Sequence, residues 1–428
     1  MPNTDKYKAR IADEILARRL KGKGAVLIQG PKWCGKTTTA EQQAKSILYM
    51  DNPETMRQNM ELAEMSPKRL LLGNTPRLID EWQLAPQLWD AVRYEVDHRT
   101  GTGHFILTGS AVPADKSKIH HSGTGRFSWL TMRTMSLYES GDSNGEISLA
   151  SLFTDERQDI FSENKLNIDD IAWLICRGGW PKATTIDKDV ALDQAFDYLD
   201  GVVNSDISRA DGIERDAERA RRILRSLARN QAAQVTISTI CEDIAANDNI
   251  TDIRETVSSY IEALKKIFVL EDSAAWNPNL RSKTAIRTSD TRYFSDPSMG
   301  TAALGIGPND LIDDLQTMGL FFETLCIRDL RIYADALDGS IFHYRDKTGL
   351  ECDAVIHLRN GKYGLVEIKL GGDSNIENGA KALKDLAKKI DSDKMRQPSF
   401  LMVLTGTGKY AYRRKDGVLT IPIGCLKV

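Results

Sequence analysis

Residues 24–39 read GAVLIQGPKWCGKTTT, and this stretch decides the fold of the N-terminal part. Ala25 to Gln29 form a short apolar run ending at a glycine, the pattern of a buried strand. Gly30-Pro31-Lys32-Trp33-Cys34-Gly35-Lys36-Thr37 fits G-x-x-x-x-G-K-[ST]. Thr37-Thr38-Thr39 then opens a helical stretch. Glycines let backbone N–H groups turn inward around phosphates, and the helix aims its positive end at them. Lys36 is placed to meet the β- and γ-phosphates of ATP, and the Thr37 hydroxyl to ligate Mg2+. The residues from Gly30 to Thr38 are therefore the expected nucleotide-binding set; the side chains of Trp33 and Cys34 receive no separate role.

Working outward, Pro76 to Asp80 and His104 to Thr108 read as two more buried strands, with a helix over LWDAVRYEVDHR between them. Residues 11–22 read as an amphipathic helix. The alternation predicts an α/β domain on a parallel sheet, residues 1–145. Asp80-Glu81 ends the second strand, where such a sheet presents its ligand site. Asp80 would hold Mg2+ through water, and Glu81 would polarise the attacking water. Thr108, in Thr108-Gly109-Ser110, is either a γ-phosphate sensor or part of a plain strand-to-loop turn. Arg126, in G-T-G-R, is either an arginine finger acting in cis or in trans, or a surface arginine.

The whole chain has 428 residues, a formal charge of -3 and 41% hydrophobic residues, enough for several cores but no overall pull towards nucleic acid. Its six cysteines are scattered without a C-x-x-C pair. The N-terminus lacks the apolar core of a signal peptide, and no apolar run is long enough for a membrane span. A cytoplasmic protein without a membrane partner is expected.

At this point the chain resembles the prokaryotic AAA-type P-loop ATPases that carry a C-terminal domain similar to archaeal Holliday-junction resolvases. The resemblance rests on VLIQGPKWCGKTT, RLIDEWQLAP, FILTGSA, SGTGRF, RGGWPKA, YFSDPSMG, YRDKTGLECDAVI and GLVEIKL, spread over most of the sequence. It implies a multidomain ATPase. Lys32-Trp33-Cys34 stand where the family usually has an arginine and smaller residues, and Trp82 where an aliphatic residue is more typical. Neither departure removes a group the chemistry needs.

A polar break at 141–150 marks the first boundary, and residues 146–215 read as a helical linker region. Residues 216–304 resemble a winged helix-turn-helix, with residues 252–264 as the third helix and 268–287 as the wing. Arg281, Lys283 and Arg287 would then contact DNA phosphate. The alternative is a helical module that only packs domains together.

Residues 305–428 read as a helix, three strands, a lysine-rich helix and a final strand: an α/β, restriction-endonuclease-like domain. Strand period two puts Glu367 and Lys369 on one face. With Asp353 they form the pattern D…E-x-K, and Glu323 joins them from the helix. Asp353 and Glu367 would bind a divalent metal while Lys369 orients the attacking water. The alternative is a nuclease fold kept for binding. The expectation is an ATP-hydrolysing protein acting on nucleic acid, with a homo-oligomer as one option; the competing reading is a regulatory switch that cuts nothing.

Overall fold

The computed structural model describes residues 7–110, 122–154, 159–245, 252–278, 289–391, 393 and 395–428. The chain divides into two compact units. The first comprises Met1–Thr134, Gly201–Ala217 and Ser259–Val269; the second comprises Met135–Asp200, Glu218–Ser258 and Leu270–Val428. The stretch 216–304, read from sequence as one module, contributes to both.

The first unit is a parallel sheet of β1 (Ala25–Gln29), β2 (Ser46–Tyr49), β3 (Arg77–Asp80), β4 (Phe105–Gly109) and β5 (Phe127–Thr131). Their spatial order is β2-β3-β4-β1-β5. Every β4 residue is buried, and so are four of the five in β1, as continuous apolar strands covered on both faces should be. Helices α1 (Ile11–Gly22), α2 (Lys36–Glu41) and α3 (Leu88–His98) accompany them, close to the ranges the periodicity predicts. Trp82, Trp89, Val92 and Phe127 pack into one core with the inner strands.

The second unit is organised around α4 (Leu315–Ala336), buried nearly all round from Phe321 to Ala334. The charges this stretch carries are paired inside, as buried charges must be: Arg328 meets Asp296 and Asp329. Two sheets accompany it: a two-stranded parallel one of β6 (Ile147–Ser148) and β14 (Leu426–Lys427), and a mixed one of β7 (Phe161–Glu163), β8 (Gly339–Arg345), β9 (Glu351–Leu358), β10 (Tyr363–Lys369), β11 (Phe400–Thr405), β12 (Tyr410–Arg413) and β13 (Leu419–Pro422). The seven-stranded order is β7-β12-β13-β11-β10-β9-β8, and α5 (Asp373–Lys389) makes the crossover from β10 to its parallel neighbour β11. The linker region is thus not purely helical: it supplies β6 and β7.

Helices Ala217–Arg229, Ile237–Ala245 and Ile253–Lys266 occupy the middle of the sequence, the last of them contributing to both units. Antiparallel bridges Leu270↔Phe294 and Ser273↔Thr291 follow. In the second unit, Trp276 N donates to His343 O at 2.7 Å and His343 N to Ala274 O at 3.0 Å, so residues 274–276 lengthen the β8 edge. Trp276 joins the core around Val355 and Tyr363. The expected wing cations Arg281, Lys283 and Arg287 lie outside the described residues.

Candidate ATPase site and the carboxylate cluster

The strand order places β4 between β1 and β3, so Thr108 stands in register with both Ile28 and Asp80. Its hydroxyl donates to Asp80 Oδ1, and the Thr37 hydroxyl donates to the same oxygen at 2.8 Å. Gly30 and Gly35 shape the loop before them, with φ of 152° and 98°. A Cβ at Gly30 would lie 2.0 Å from Met132 O, so no larger residue fits. Lys36 is buried and curls back on the loop, donating to Gly30 O at 3.0 Å and Pro31 O at 2.7 Å. Pro31 and Cys34 are buried, while Trp33 and Thr38 are exposed.

Two non-glycine residues here adopt left-handed backbone, Trp33 at φ 62° and Glu81 at φ 53°. Such conformations persist where surrounding structure enforces them, often at functional sites. The Glu81 carboxylate accepts from Gln83 Nε2. Burial raises the pKa of both acids above their ordinary values, and the Asp80 charge raises Glu81 further. A cation at this place would relieve both.

Two residues the sequence reading passed over hold the loop. Arg10 is buried and donates to Cys34 O at 2.8 Å and Arg133 O at 2.9 Å. Asp206 ends a π-helical turn, Val202–Asp206, and meets Lys32 Nζ at 2.6 Å. Neither belongs to a local motif; only the fold brings them to the loop.

Arg126 is placed differently from the expectation. It immediately precedes β5, and Phe127 is in register with Ala25, the first residue of β1. Parallel pairing therefore sets Arg126 at the sheet end opposite Gly30, roughly 20 Å away along the strands. Its guanidinium pairs with Asp97 at 2.8 Å. This arrangement gives no cis finger; following the third strand in sequence did not mean lying at its C-terminal end.

In the second unit, the β9–β10 register Ala354↔Val366 brings Asp353 beside Glu367. Lys369 Nζ lies 2.7 Å from Glu367 Oε2 and 3.1 Å from Asp353 Oδ2, bridging the two. Asp353 Oδ2 also accepts from Ile368 N at 2.7 Å. Glu323 comes from α4 and accepts from Tyr293 OH at 2.6 Å. Burial, then the Asp353 charge, holds both Glu323 and Glu367 well above the usual carboxylate range. Arg345 does not join; it pairs with Glu351 at 3.1 Å. Among the described residues, no group of three or more His, Cys, Asp or Glu side chains is gathered to hold a metal.

With this geometry in view, residues 22–140 match the family model described as an AAA domain. The chain carries a P-loop ATPase domain of the AAA type. Residues 168–310 and 318–426 match two models each described as a domain of unknown function (DUF8612 and DUF4143). An uncharacterized protein of Mycobacterium tuberculosis is 23% identical over 388 residues, covering 88% of this chain and 77% of that protein. One of Mycobacterium bovis matches with the same values. Among solved structures, the Walker-type ATPase of Pyrococcus abyssi is 14% identical, covers 70% of this chain and 97% of its own, and has a TM-score of 0.42. A signal transduction ATPase with numerous domains and a tetratricopeptide repeat sensor, from Pyrococcus horikoshii, is 9% identical, covering 78% of this chain and 49% of that one, at a TM-score of 0.20.

For the ATPase domain the donor set suits Mg2+. One hydroxyl and one carboxylate converge, and Mg2+ keeps several of its own waters. Thr37 and Asp80 would hold the ion, which would supply positive charge to offset that of the phosphates. Among the described residues no helix is long and apolar enough to cross a membrane.

Proposed function

We propose that this protein uses ATP binding and Mg2+-dependent hydrolysis to drive work on nucleic acid, DNA foremost, and that its C-terminal unit is a restriction-endonuclease-like module capable of metal-dependent cleavage. Lys36 and the Gly30–Thr38 loop bind the phosphates, Thr37 and Asp80 hold the ion, Glu81 polarises water, and Thr108 reports on the γ-phosphate through Asp80. The helices from Ala217 to Lys266 and the bridged segment after them serve as a winged-helix-like DNA contact. The setting is cytoplasmic.

One observation carries the cleavage reading: Asp353, Glu367 and Lys369 meet on neighbouring strands, with Glu323 close by on α4. A metal there would be held by Asp353 and Glu367, with water completing its shell, and would supply Lewis-acid help to phosphodiester hydrolysis. The test is nicking of branched and linear DNA with Mn2+ or Mg2+. Wild-type protein should nick, and Glu367→Ala should not. Equal nicking by both, or none in either metal, removes the reading.

A second reading has its own support. Lys369 bridges both carboxylates and offsets one charge, Tyr293 donates to Glu323, and burial holds Glu323 and Glu367 well above the usual carboxylate range, so the cluster is satisfied by its own side chains and protons. On this reading the protein is an ATP-driven switch whose C-terminal unit binds a protein or DNA partner without cutting it. For a DNA partner the nicking assay separates the two readings; absence of DNA binding in a salt-dependent shift assay, with ATPase rates unmoved by any DNA structure, leaves a protein partner.

A further inference from the structure

The seven-stranded sheet ends at β7, and that edge is unusual. Edge strands are commonly kept short and guarded by charge. β7 is short, but Phe161 is 68% exposed, Tyr412 41% and Tyr410 39%. The registers Tyr412↔Phe161 and Tyr410↔Glu163 put the three rings on one face. Phe161 and Tyr410 stack with centroids 5.5 Å apart and planes 23° from parallel. The Lys409 ammonium lies 5.4 Å from the Tyr410 ring. A cross-strand ring pair helps join β7 to β12. It does not account for three rings left in water.

Cations stand around the rings. Lys165, Lys409, Arg413 and Lys415 are exposed on these two strands and the turns beside them. Several of the acids nearby are engaged: Glu146 accepts from Ser162 Oγ at 2.7 Å, Glu377 is met by Arg414 at 2.5 Å, and Asp416 is held by Lys384 at 2.7 Å and Arg414 at 3.2 Å, while Asp159 and Glu163 are exposed.

The same face leads back to the carboxylate cluster. Register runs Glu367↔Val403, Val403↔Thr420, Thr420↔Tyr412 and Tyr412↔Phe161. Tyr412 is therefore on the Glu367 face, three strand spacings or about 14 Å away. Helix α5 covers that face at β10 and β11, where Gly379 packs on Glu367 and Val403, and the rings beyond remain exposed. Thr405, in register with Lys369, and Thr420 carry buried hydroxyls with no hydrogen-bond partner among the described residues.

We propose that this edge binds a single strand of nucleic acid, with bases stacked on Phe161, Tyr410 and Tyr412 and phosphates met by Lys165, Lys409, Arg413 and Lys415. The inference rests on the nucleic-acid reading above and specifies its substrate. Exposed rings beside cations suit unpaired bases, whose π-faces are open; in a duplex those faces are stacked and unavailable. A strand lying here runs across the open part of the sheet as far as helix α5, which covers Glu367, so the edge would hold single-stranded or frayed substrate beside that helix.

The test uses the full chain and fluorescence anisotropy with labelled oligo(dT), a labelled duplex and a branched junction, over a range of salt. Wild type should prefer oligo(dT). Replacing all three rings with alanine should weaken oligo(dT) binding by at least about tenfold, since each base–aromatic stack is a substantial share of such binding. Because loss of the rings could loosen β7, Phe161→Leu with Tyr410→Leu and Tyr412→Leu keeps apolar bulk and should show a similar loss. Lys409→Ala with Arg413→Ala should flatten the salt slope. If the ring variants bind oligo(dT) like wild type, or wild type prefers duplex, the edge proposal fails while the nucleic-acid reading stands. If wild type binds none of the three probes, both fail.

Discussion

Two lysines, one in each unit, are satisfied in opposite ways. Lys36 donates to the neutral carbonyls of Gly30 and Pro31, and the nearby acids Asp80 and Glu81 are left to neutral donors. Lys369 is ion-paired to Asp353 and Glu367. Charge-assisted bonds are roughly twice as strong as neutral ones. The phosphate loop therefore keeps its cation in reserve for an arriving anion, needing to give up only carbonyl contacts. The carboxylate cluster has used its cation already, and a metal must compete with it. ATP binding should come readily to the first centre, whereas the second should respond only to substantial metal concentrations.

The largest expected effect tests that reserve. Lys36→Ala should weaken ATP binding by about a hundredfold, the scale of hydrogen bonds to a charged group. Glu81→Gln should bind ATP like wild type and hydrolyse it about a hundredfold more slowly, the lower range for losing a proton acceptor. Calorimetry and phosphate release measure the two separately. Full affinity in Lys36→Ala would mean the lysine is not held for phosphate, and the contrast with Lys369 would lose its meaning.

A third cation shows what full burial demands. Arg328 on α4 is 1% exposed in its side chain and pairs with Asp296 at 3.1 Å and Asp329 at 2.8 Å. Asp296 also accepts from Gly179 N at 2.9 Å, and Asp329 from Leu137 N at 2.8 Å. These bonds explain why RGGWPKA and YFSDPSMG stand out in the sequence: both build this buried knot. Arg328→Met leaves two buried carboxylates without a cation and should cost about 3–5 kcal/mol in urea unfolding. Burial, offset by Arg328, sets Asp329 at about 6. An acid that holds its proton more tightly folded than unfolded adds stability as pH falls through its folded value. The contribution from Asp329 should thus grow as pH drops below about 6, opposite in sign to ordinary acid unfolding, and vanish in Asp329→Asn.

What could be read in the sequence follows from how local each signal is. The phosphate loop is contiguous, and its glycines are demanded by backbone conformation, so it was plain. Asp353, Glu367 and Lys369 were reachable because strand period two and one hairpin relate them. β2, β5, β7, β12 and β13 were not foreseen: each has only three to five residues, too few to show alternation. β5 also carries a half-exposed Trp129, against an apolar reading. Asp206 could not be found, because 174 residues separate it from Lys32. Arg126 was misplaced because its strand went unrecognised; once β5 is seen to begin at Phe127, parallel register fixes the wrong end for a cis finger.

A smaller effect is expected where the loop meets Asp206. Lys32 is 43% exposed in its side chain, and its pair with Asp206 is partly screened. Asp206→Asn frees Lys32 to face phosphate instead. ATP affinity should rise by no more than about fivefold, the range of a partly exposed pair. Lys32→Met should lower it by a similar factor. If both variants bind like wild type, the pair is a passive surface contact, and Lys36 alone answers for phosphate charge.

The smallest effect is expected at Arg126, and its smallness is informative. The guanidinium is exposed, pairs with the partly open Asp97, and lies at the far end of the sheet from Lys36 and Glu81. Arg126→Ala in dilute protein should therefore leave both ATP affinity and turnover within about twofold of wild type, as for a surface pair. Only a second copy could bring this arginine to a γ-phosphate. In that case wild-type turnover per chain should rise with protein concentration, and the variant should stay flat. Mixing Arg126→Ala with Glu81→Gln then decides the matter. An arginine acting in trans would let the Arg126→Ala chain, whose own Glu81 is intact, recover hydrolysis using the arginine of its Glu81→Gln neighbour. Turnover that is simply the average of the two variants, at every concentration, leaves Arg126 as a surface residue and the phosphate loop with only its own lysines for cations.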